Sequence, residues 1–314
     1  MKIGLIDVDS KMPNLALMKI SQYHKNKGDK VYWYEPLFER PDKIYASKVF
    51  KFTSDYGYYP KGIETIKGGS GYDLTTKLPK EIEEQNLDYS LYPNCNYSLQ
   101  MFSRGCIRNC SFCLVRQKEG GITPIEHLNL NPKGEWIEIL DNNFFANPEW
   151  EDAIEKLLGW KQPVKFHGID VRILNEKQAY FLNKLKHKKY INMAWDNPED
   201  NLLPKFENIT QWIKPYKIIC YVLIGYNSTR QQDLYRVQKL HELGINPFVM
   251  PYKDIMGYNI EDIFKRCGFT GEREYKKYLK DFSRWVNRKW LFKSVKWENY
   301  KKKKTNNKEG LLIE

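Results

Sequence analysis

Gly105-Cys106-Ile107-Arg108-Asn109-Cys110-Ser111-Phe112-Cys113 carries three cysteines separated by three and then two residues. Three thiolates offered from one loop suit a soft metal centre, either an iron-sulfur cluster or zinc. A structural zinc site closes all four positions with side chains, whereas a cubane held by three cysteines leaves one iron open to an outside ligand. Cys95 and His127 are the neighbours that could close a zinc site. Disulfides are not expected: Met1-Lys2 leads straight into the apolar run Ile3 to Val8 without a signal peptide, and the chain reads as cytoplasmic, where thiols stay reduced. Cys220, in the run Ile218-Ile219-Cys220-Tyr221-Val222, reads as a small buried hydrophobe, and Cys267 has no ligand type beside it.

The chain has 314 residues and a formal net charge of +12. That length predicts about two domains, at roughly 100 to 200 residues each. No apolar run approaches the ~20 residues of a membrane helix, so no membrane partner is expected. The positive balance permits a polyanionic partner such as nucleic acid, but an AT-rich genome, which inflates Lys, Asn, Ile and Tyr, accounts for it equally well. The sequence shows no repeat of fixed period.

The first ninety residues alternate strand and helix. Ile3 to Val8 is a strand, Pro13 to Lys27 a helix opened by Pro13 and ended by Gly28, and Val31 to Tyr34 a second strand. Asp42 to Phe52 and Ile63 to Ile66 supply a third and fourth, the last followed by Gly68-Gly69-Ser70-Gly71. This is a small Rossmann-like α/β domain, residues 1–90. From Tyr97 onward the strands are Ser98 to Phe102, Trp136 to Leu140, Val164 to Ile169, Ile191 to Trp195, Ile218 to Ile224 and Pro247 to Met250. Helices Pro148 to Leu158, Glu176 to Leu185 and Arg230 to Leu243 lie between them, the last closed by Gly244. Parallel strands with helical crossovers form an open sheet or a barrel, residues 91–255, and functional residues then gather where strands end.

The cysteine stretch, with Phe112 just before its last cysteine, resembles the signature of the radical S-adenosylmethionine (SAM) superfamily. The resemblance implies a partial (β/α)6 TIM-like barrel and a [4Fe-4S] cluster on Cys106, Cys110 and Cys113. The open iron would chelate the amino and carboxylate groups of S-adenosyl-L-methionine. One electron then splits the sulfonium, leaving methionine and a 5′-deoxyadenosyl radical that takes a hydrogen atom from a substrate, with flavodoxin or ferredoxin as reductant. Asp141, Asn142 and Asn143 stand where the superfamily has a Gly-Gly-Glu-like segment that binds the methionine ammonium, although the glycines are absent here. Gly225 and Tyr226 resemble the segment that lines adenine. The leading domain resembles a cobalamin-binding domain in fold only: Asp7-Val8-Asp9-Ser10-Lys11-Met12 lacks the His that such domains place after the first strand. Cobalamin is therefore a minor expectation.

Position at strand ends, without a motif, adds His167, Asp170 and Trp195 as candidates to touch substrate. Arg172 has the planar fork to pair with the SAM carboxylate, and Asp196 can hold ribose hydroxyls. Residues 256–314 form a helical, basic and aromatic extension: Arg284-Trp285-Val286-Asn287-Arg288-Lys289-Trp290 and Lys293 to Trp297 lead to Lys301-Lys302-Lys303-Lys304, with a frayed end at 305–314. Its aromatics can stack bases, but Trp285, Trp290 and Phe292 read better as apolar anchors that dock the tail. Two functions survive: a radical SAM enzyme, or a nucleic-acid-binding protein with a structural or redox-sensing cluster. Methyl or methylthio transfer to tRNA is the variant of the first, and a methylthiotransferase needs a second cysteine trio, whereas only Cys95 precedes Cys106.

Overall fold

The computed structural model describes residues 1–300; the readings of Lys301 to Lys304 and of residues 305–314 lie outside the described residues. The chain divides into two compact units, Met1–Asn109 with Leu114–Asp141, and Cys110–Cys113 with the chain from Asn142 onward.

In the first unit, β1 (Lys2–Asp7), α1 (Leu15–Asn26), β2 (Lys30–Trp33), β3 (Lys43–Ser47) and β4 (Glu64–Gly68) build a four-stranded parallel sheet in the order β2-β1-β3-β4. Ile3 sits opposite Val31 on one side and Lys43 on the other. Ile3, Leu5, Leu17, Met18 and Ile20 pack α1 onto this sheet, each buried side chain contributing about 1.5–3 kcal/mol. Asn14 rather than Pro13 starts the helix, because its side chain accepts from the amides of Ala16 and Leu17. The third strand is shorter than expected for an equally local reason. Beyond Ser47 the amides of Val49 and Phe50 donate to the Asp9 carboxylate at 2.7 and 2.9 Å, which turns the chain off the sheet.

After a single turn of helix, α2 (Lys80–Glu83), come β5 (Ser98–Gln100), β6 (Ser103–Arg104), α3 (Val115–Glu119), β7 (Thr123–Pro124) and β8 (Ile137–Ile139). β5 and β8 pair in parallel with Leu99 opposite Glu138. β6 and β7 pair antiparallel, Arg104 opposite Thr123, and bracket the segment that carries the cysteines in sequence.

In the second unit helices alternate with parallel strands: α4 (Trp150–Trp160), β9 (Val164–Phe166), α5 (Glu176–Lys184), β10 (Ile191–Ala194), α6 (Leu203–Trp212), β11 (Ile218–Ile224), α7 (Arg230–Glu242) and β12 (Asn246–Pro251). β11 is central, pairing with β10 and β12 in parallel, with Val222 opposite Val249. Ile218, Cys220, Val222 and Ile224 are fully buried while the residues between them are half-buried, as a strand covered on both faces requires. Thr229 and Gln232 close a reciprocal capping box at the start of α7. Gly244, at φ +76°, ends that helix, its amide donating to the His241 carbonyl. Asn147 lies just ahead of α4, where its side chain accepts from the Glu149 amide.

The extension forms α8 (Ile260–Arg266), α9 (Glu272–Asn287) and α10 (Lys289–Ser294). Tyr275, Tyr278, Leu279, Phe282, Trp285 and Val286 form the buried face of α9. Trp285 packs on Phe292 and Trp297, and its indole N–H donates to the Val295 carbonyl at 2.8 Å. The tail is thus docked by its aromatics, with one correction: Trp290 is 67% exposed and anchors nothing. Among the described residues no helix is long and apolar enough to cross a membrane.

Candidate functional site

Gly105 shapes the entry to the cysteine loop. At φ +81° it brings the backbone so close to Gly120 and Gly121 that a Cβ would lie 2.1 Å from the Gly121 carbonyl oxygen, which only glycine tolerates. Its amide donates to Glu119. Cys106 is tied three ways: its amide donates to the Gly120 carbonyl, its carbonyl accepts from the Arg116 guanidinium at 2.9 Å, and its sulfur accepts from the Arg108 amide at 3.4 Å. The Cys113 amide donates to the Cys110 carbonyl at 3.0 Å. No disulfide joins any of the six cysteines; Cys106, Cys110 and Cys113 are half-buried, whereas Cys95, Cys220 and Cys267 are buried. Burial pushes the Cys267 thiol up to about 11 and the Cys220 thiol above its ordinary range. Among the described residues no three His, Cys, Asp or Glu side chains converge on one point as on a single ion; the cysteines of a cubane each bind a different iron.

Asp141 follows β8 by two residues, inside the first unit. Its carboxylate accepts from the amides of Phe102 and Ser103 and from the Ser103 hydroxyl, at 2.7 to 3.2 Å. Burial raises its pKa in spite of these donors. The carboxylate therefore holds the chain where β5 passes into β6.

In the second unit, the strand ends converge on a charged network. Arg172 donates through Nε to Asp170 at 2.7 Å and through a terminal nitrogen to Asp200 at 3.3 Å. Burial works against its charge, but Asp170, Asp200 and the nearby Cys110 raise its pKa beyond the ordinary arginine range. Burial pushes the Asp196 carboxyl up to about 6, opposed by the cations Arg236 and Arg172 and reinforced by Asp170. Asn143 is 1% exposed; its amide nitrogen donates weakly to Asp170 at 3.4 Å, and its Oδ1 is buried with no donor. Such an orphaned acceptor costs about 1–3 kcal/mol unless something fills it. Asn142, half-buried, precedes it.

An aromatic group gathers around the loop residue Phe112. Its ring meets Tyr226 at 5.5 Å, and Tyr226 in turn meets Tyr252 at 4.8 Å and Tyr258 at 6.0 Å. The Arg266 guanidinium lies 5.3 Å from the Tyr226 ring, and the Tyr258 hydroxyl donates to the Ser111 carbonyl at 2.8 Å. The structure thus brings together Cys110, Cys113, Phe112 and Tyr226 on one side and Asn143, Asp170, Arg172 and Asp196 on the other, all within one unit. Other candidates are placed differently. The room that Gly225 leaves is filled by Leu279 and Tyr275 of α9, the Tyr275 hydroxyl donating to the Gly225 carbonyl. Trp195 is 1% exposed, packed on Phe206 and Tyr235, with its indole N–H donated to the Asp200 carbonyl. His167 is exposed just beyond β9.

Arg236 escaped the sequence reading. From α7 it donates to the carbonyls of Trp195, Asp196 and Leu223 and to Asp233, and so ties β10 to β11 beneath the network. The signal was its helical phase: Asp233, Arg236, Val237 and Leu240 share the inward face. Tyr258 and Arg266 carried no comparable signal.

No family model matches the chain, and no curated protein matches its sequence. Among solved structures it resembles a radical S-adenosylmethionine methyltransferase, TsrM, from Kitasatospora setae, determined with cobalamin and a [4Fe-4S] cluster bound. The TM-score is 0.58 over 80% of this chain and 74% of that one, at 10% identity. The two chains share a fold. It is the α/β fold expected from the sequence, a Rossmann-like unit followed by the parallel strands of a partial barrel. Likeness of fold at this identity does not carry an activity with it.

The first unit has a cavity of about 310 Å³ at the ends of β1 and β2, lined among others by Asp7, Trp33, Tyr34, Glu35, Tyr56 and Tyr92. None of these lining residues is a His that could serve as an axial ligand to cobalamin. The turn Asp7 to Met12 after β1 holds no His, Asp9 is engaged by Val49 and Phe50, and Asp7 accepts from Ser10 and Tyr92. The glycine loop lies against Lys48: a Cβ on Gly69 would fall 2.4 Å from the Lys48 carbonyl oxygen and one on Gly71 2.5 Å from its Cγ.

Proposed function

We propose that this chain is a radical SAM enzyme that abstracts hydrogen from its substrate. The observation that carries the reading is the pairing, in one unit, of two loop cysteines with a strand-end network whose Asn143 Oδ1 is buried without a donor. Both features fit a [4Fe-4S] cluster with SAM. Three half-buried thiols in one loop, one already accepting a backbone N–H, suit a cubane with an open iron. SAM carries a sulfonium and an ammonium, and the network offers Asp170, Asp196 and Asp200 against Arg172 and an Arg236 already paired with Asp233.

When bound, the cluster and SAM supply one-electron cleavage of a sulfonium and the group that removes a hydrogen atom. The protein's part is placement. Asn143 accepts the methionine ammonium through Oδ1, which removes the cost of its orphaned state. Arg172, fixed by Asp170 and Asp200, keeps its remaining edge for the carboxylate. Phe112 and Tyr226 wall off the loop from water. Asp170 and Asp196 are the carboxylates of this network that would hold ribose hydroxyls or substrate, and His167, exposed beyond β9, is a further candidate to touch substrate.

Anaerobic reconstitution tests the proposal. With SAM and dithionite the protein should form 5′-deoxyadenosine, and Cys113→Ala should not. Equal yields from the two proteins would refute it. Comparing nucleosides and small metabolites in cells with and without the gene then identifies the substrate.

A further inference from the structure

The outer face of α9 is built as a continuous cationic stripe. At about 100° per residue, Arg273, Lys276, Lys277, Lys280 and Arg284 all fall within about 60° of the meridian opposite the buried face formed by Tyr275, Tyr278, Leu279, Phe282, Trp285 and Val286. Asn287 is the one other residue in that sector, and no acid enters it. Glu272, Glu274 and Asp281 sit on the flanks, the first two paired with Lys276 and with Arg230. All five cations are exposed. Arg273, Lys277, Lys280 and Arg284 have no ion-pair partner among the described residues. Exposed Arg288, Lys289 and Lys293 continue the positive charge into α10, and between them Trp290 stands 67% exposed, the large apolar side chain of these two helices that is left in solvent.

We infer that this face binds single-stranded nucleic acid. A lysine-rich composition scatters cations over every outer position, whereas here charge is sorted by helical phase, with acids excluded from one sector. Cations one helical turn apart, about 5 to 6 Å along the axis, form a line that a phosphate chain can follow. Cations that track a backbone beside a projecting aromatic ring, on which a base can stack, are the two elements of sequence-tolerant single-strand binding. A membrane surface is a poorer match, because a helix that enters an interface carries an apolar face toward it, and the apolar face of α9 is consumed in the core. The stripe differs from the interleaved aromatics that the sequence suggested, since Trp285 and Trp297 are buried and only the cations and Trp290 are presented. This inference does not rest on the radical chemistry.

The test is fluorescence anisotropy of the full chain with labelled oligouridylate and oligothymidylate of about 20 nucleotides, a length within reach of single-strand site sizes, titrated over a range of KCl. Four to five phosphate contacts predict a slope of log K against log salt of about −3. The variant R273Q/K277Q/K280Q/R284Q should bind at least tenfold more weakly with a flattened slope. A variant of equal charge change elsewhere on exposed lysines, K51Q/K61Q/K77Q/K156Q, should stay within about threefold of the parent chain. Bound oligonucleotide should quench a component of tryptophan fluorescence that Trp290→Leu lacks. Stronger binding of either oligomer supports the inference and names RNA or DNA as its source. Cys113→Ala should bind equally, which separates this result from failure of the enzyme reading. Absence of binding, equal weakening in both variants, or attachment to phosphatidylserine vesicles without oligonucleotide binding overturns it.

Discussion

The phenol of Tyr258 donates a hydrogen bond to the backbone carbonyl of Ser111, between two of the three loop cysteines, across 147 residues of sequence. It holds the loop in the same packed group as Phe112 and Tyr226. Tyr258→Phe keeps the ring and removes the bond, worth about 0.5–1.5 kcal/mol. The reconstituted variant should lose its cluster absorbance in air roughly fivefold faster, with circular dichroism unchanged. An identical bleaching rate would show that the loop is held by other means.

Asn143 should govern SAM affinity without governing the cluster. A hydrogen bond to a charged ammonium is worth about 1.5–3 kcal/mol, so Asn143→Ala should raise the dissociation constant of SAM at least tenfold at unchanged iron and sulfide content. Equilibrium dialysis against labelled SAM measures this. Affinity equal to that of the parent protein would remove Asn143 from the site.

Asp196 makes stability depend on pH in the direction opposite to an ordinary salt-bridged carboxylate. Its folded pKa, about 6, lies above the unfolded value near 3.8, so the folded state holds the extra proton. The stability this contributes is full below pH ~3.8 and is lost as pH rises through ~6. Asp196→Asn removes that loss and should be more stable than the parent at pH 7.5 by up to about 3 kcal/mol, with the advantage gone near pH 4. Urea melts at the two pH values measure it, and a variant destabilised at both would contradict the assignment.

Corrinoid uptake tests whether this chain takes up the cofactor bound by the protein whose fold it shares. With no His in the turn Asp7 to Met12, with Asp9 occupied and with the glycine loop packed on Lys48, reconstitution with hydroxocobalamin followed by gel filtration should leave no corrinoid spectrum on the protein. Retention of a corrinoid in a ratio near one to one would move the reading to methyl transfer.

Much of this was legible before any coordinates. The run Ile218 to Ile224 is a strand with the expected limits, because a continuous apolar stretch between turn residues has few other uses. Gly244 closes α7 through capping chemistry that is local in sequence. The spacing of the three cysteines points to a soft metal centre, and it is the resemblance that points to a cluster. What escaped depends on contacts between distant segments. Asp9 cut β3 short from 40 residues away. Asp141, expected to serve a ligand, spends its lone pairs on Phe102 and Ser103. Gly225 faces Leu279 and Tyr275 of α9. Side-chain direction decided the tail, where Trp285 and Trp290, five positions apart, lie one inside and one outside.

The central claim is that Cys106, Cys110 and Cys113 hold a cubane with one iron left for SAM. Electron paramagnetic resonance of the dithionite-reduced, reconstituted protein tests it most directly. The account predicts a reduced [4Fe-4S] signal that changes its g-values when SAM is added, and that is missing from Cys106→Ala, Cys110→Ala and Cys113→Ala. A cluster signal that SAM leaves untouched, or one that survives loss of any of these cysteines, would contradict it.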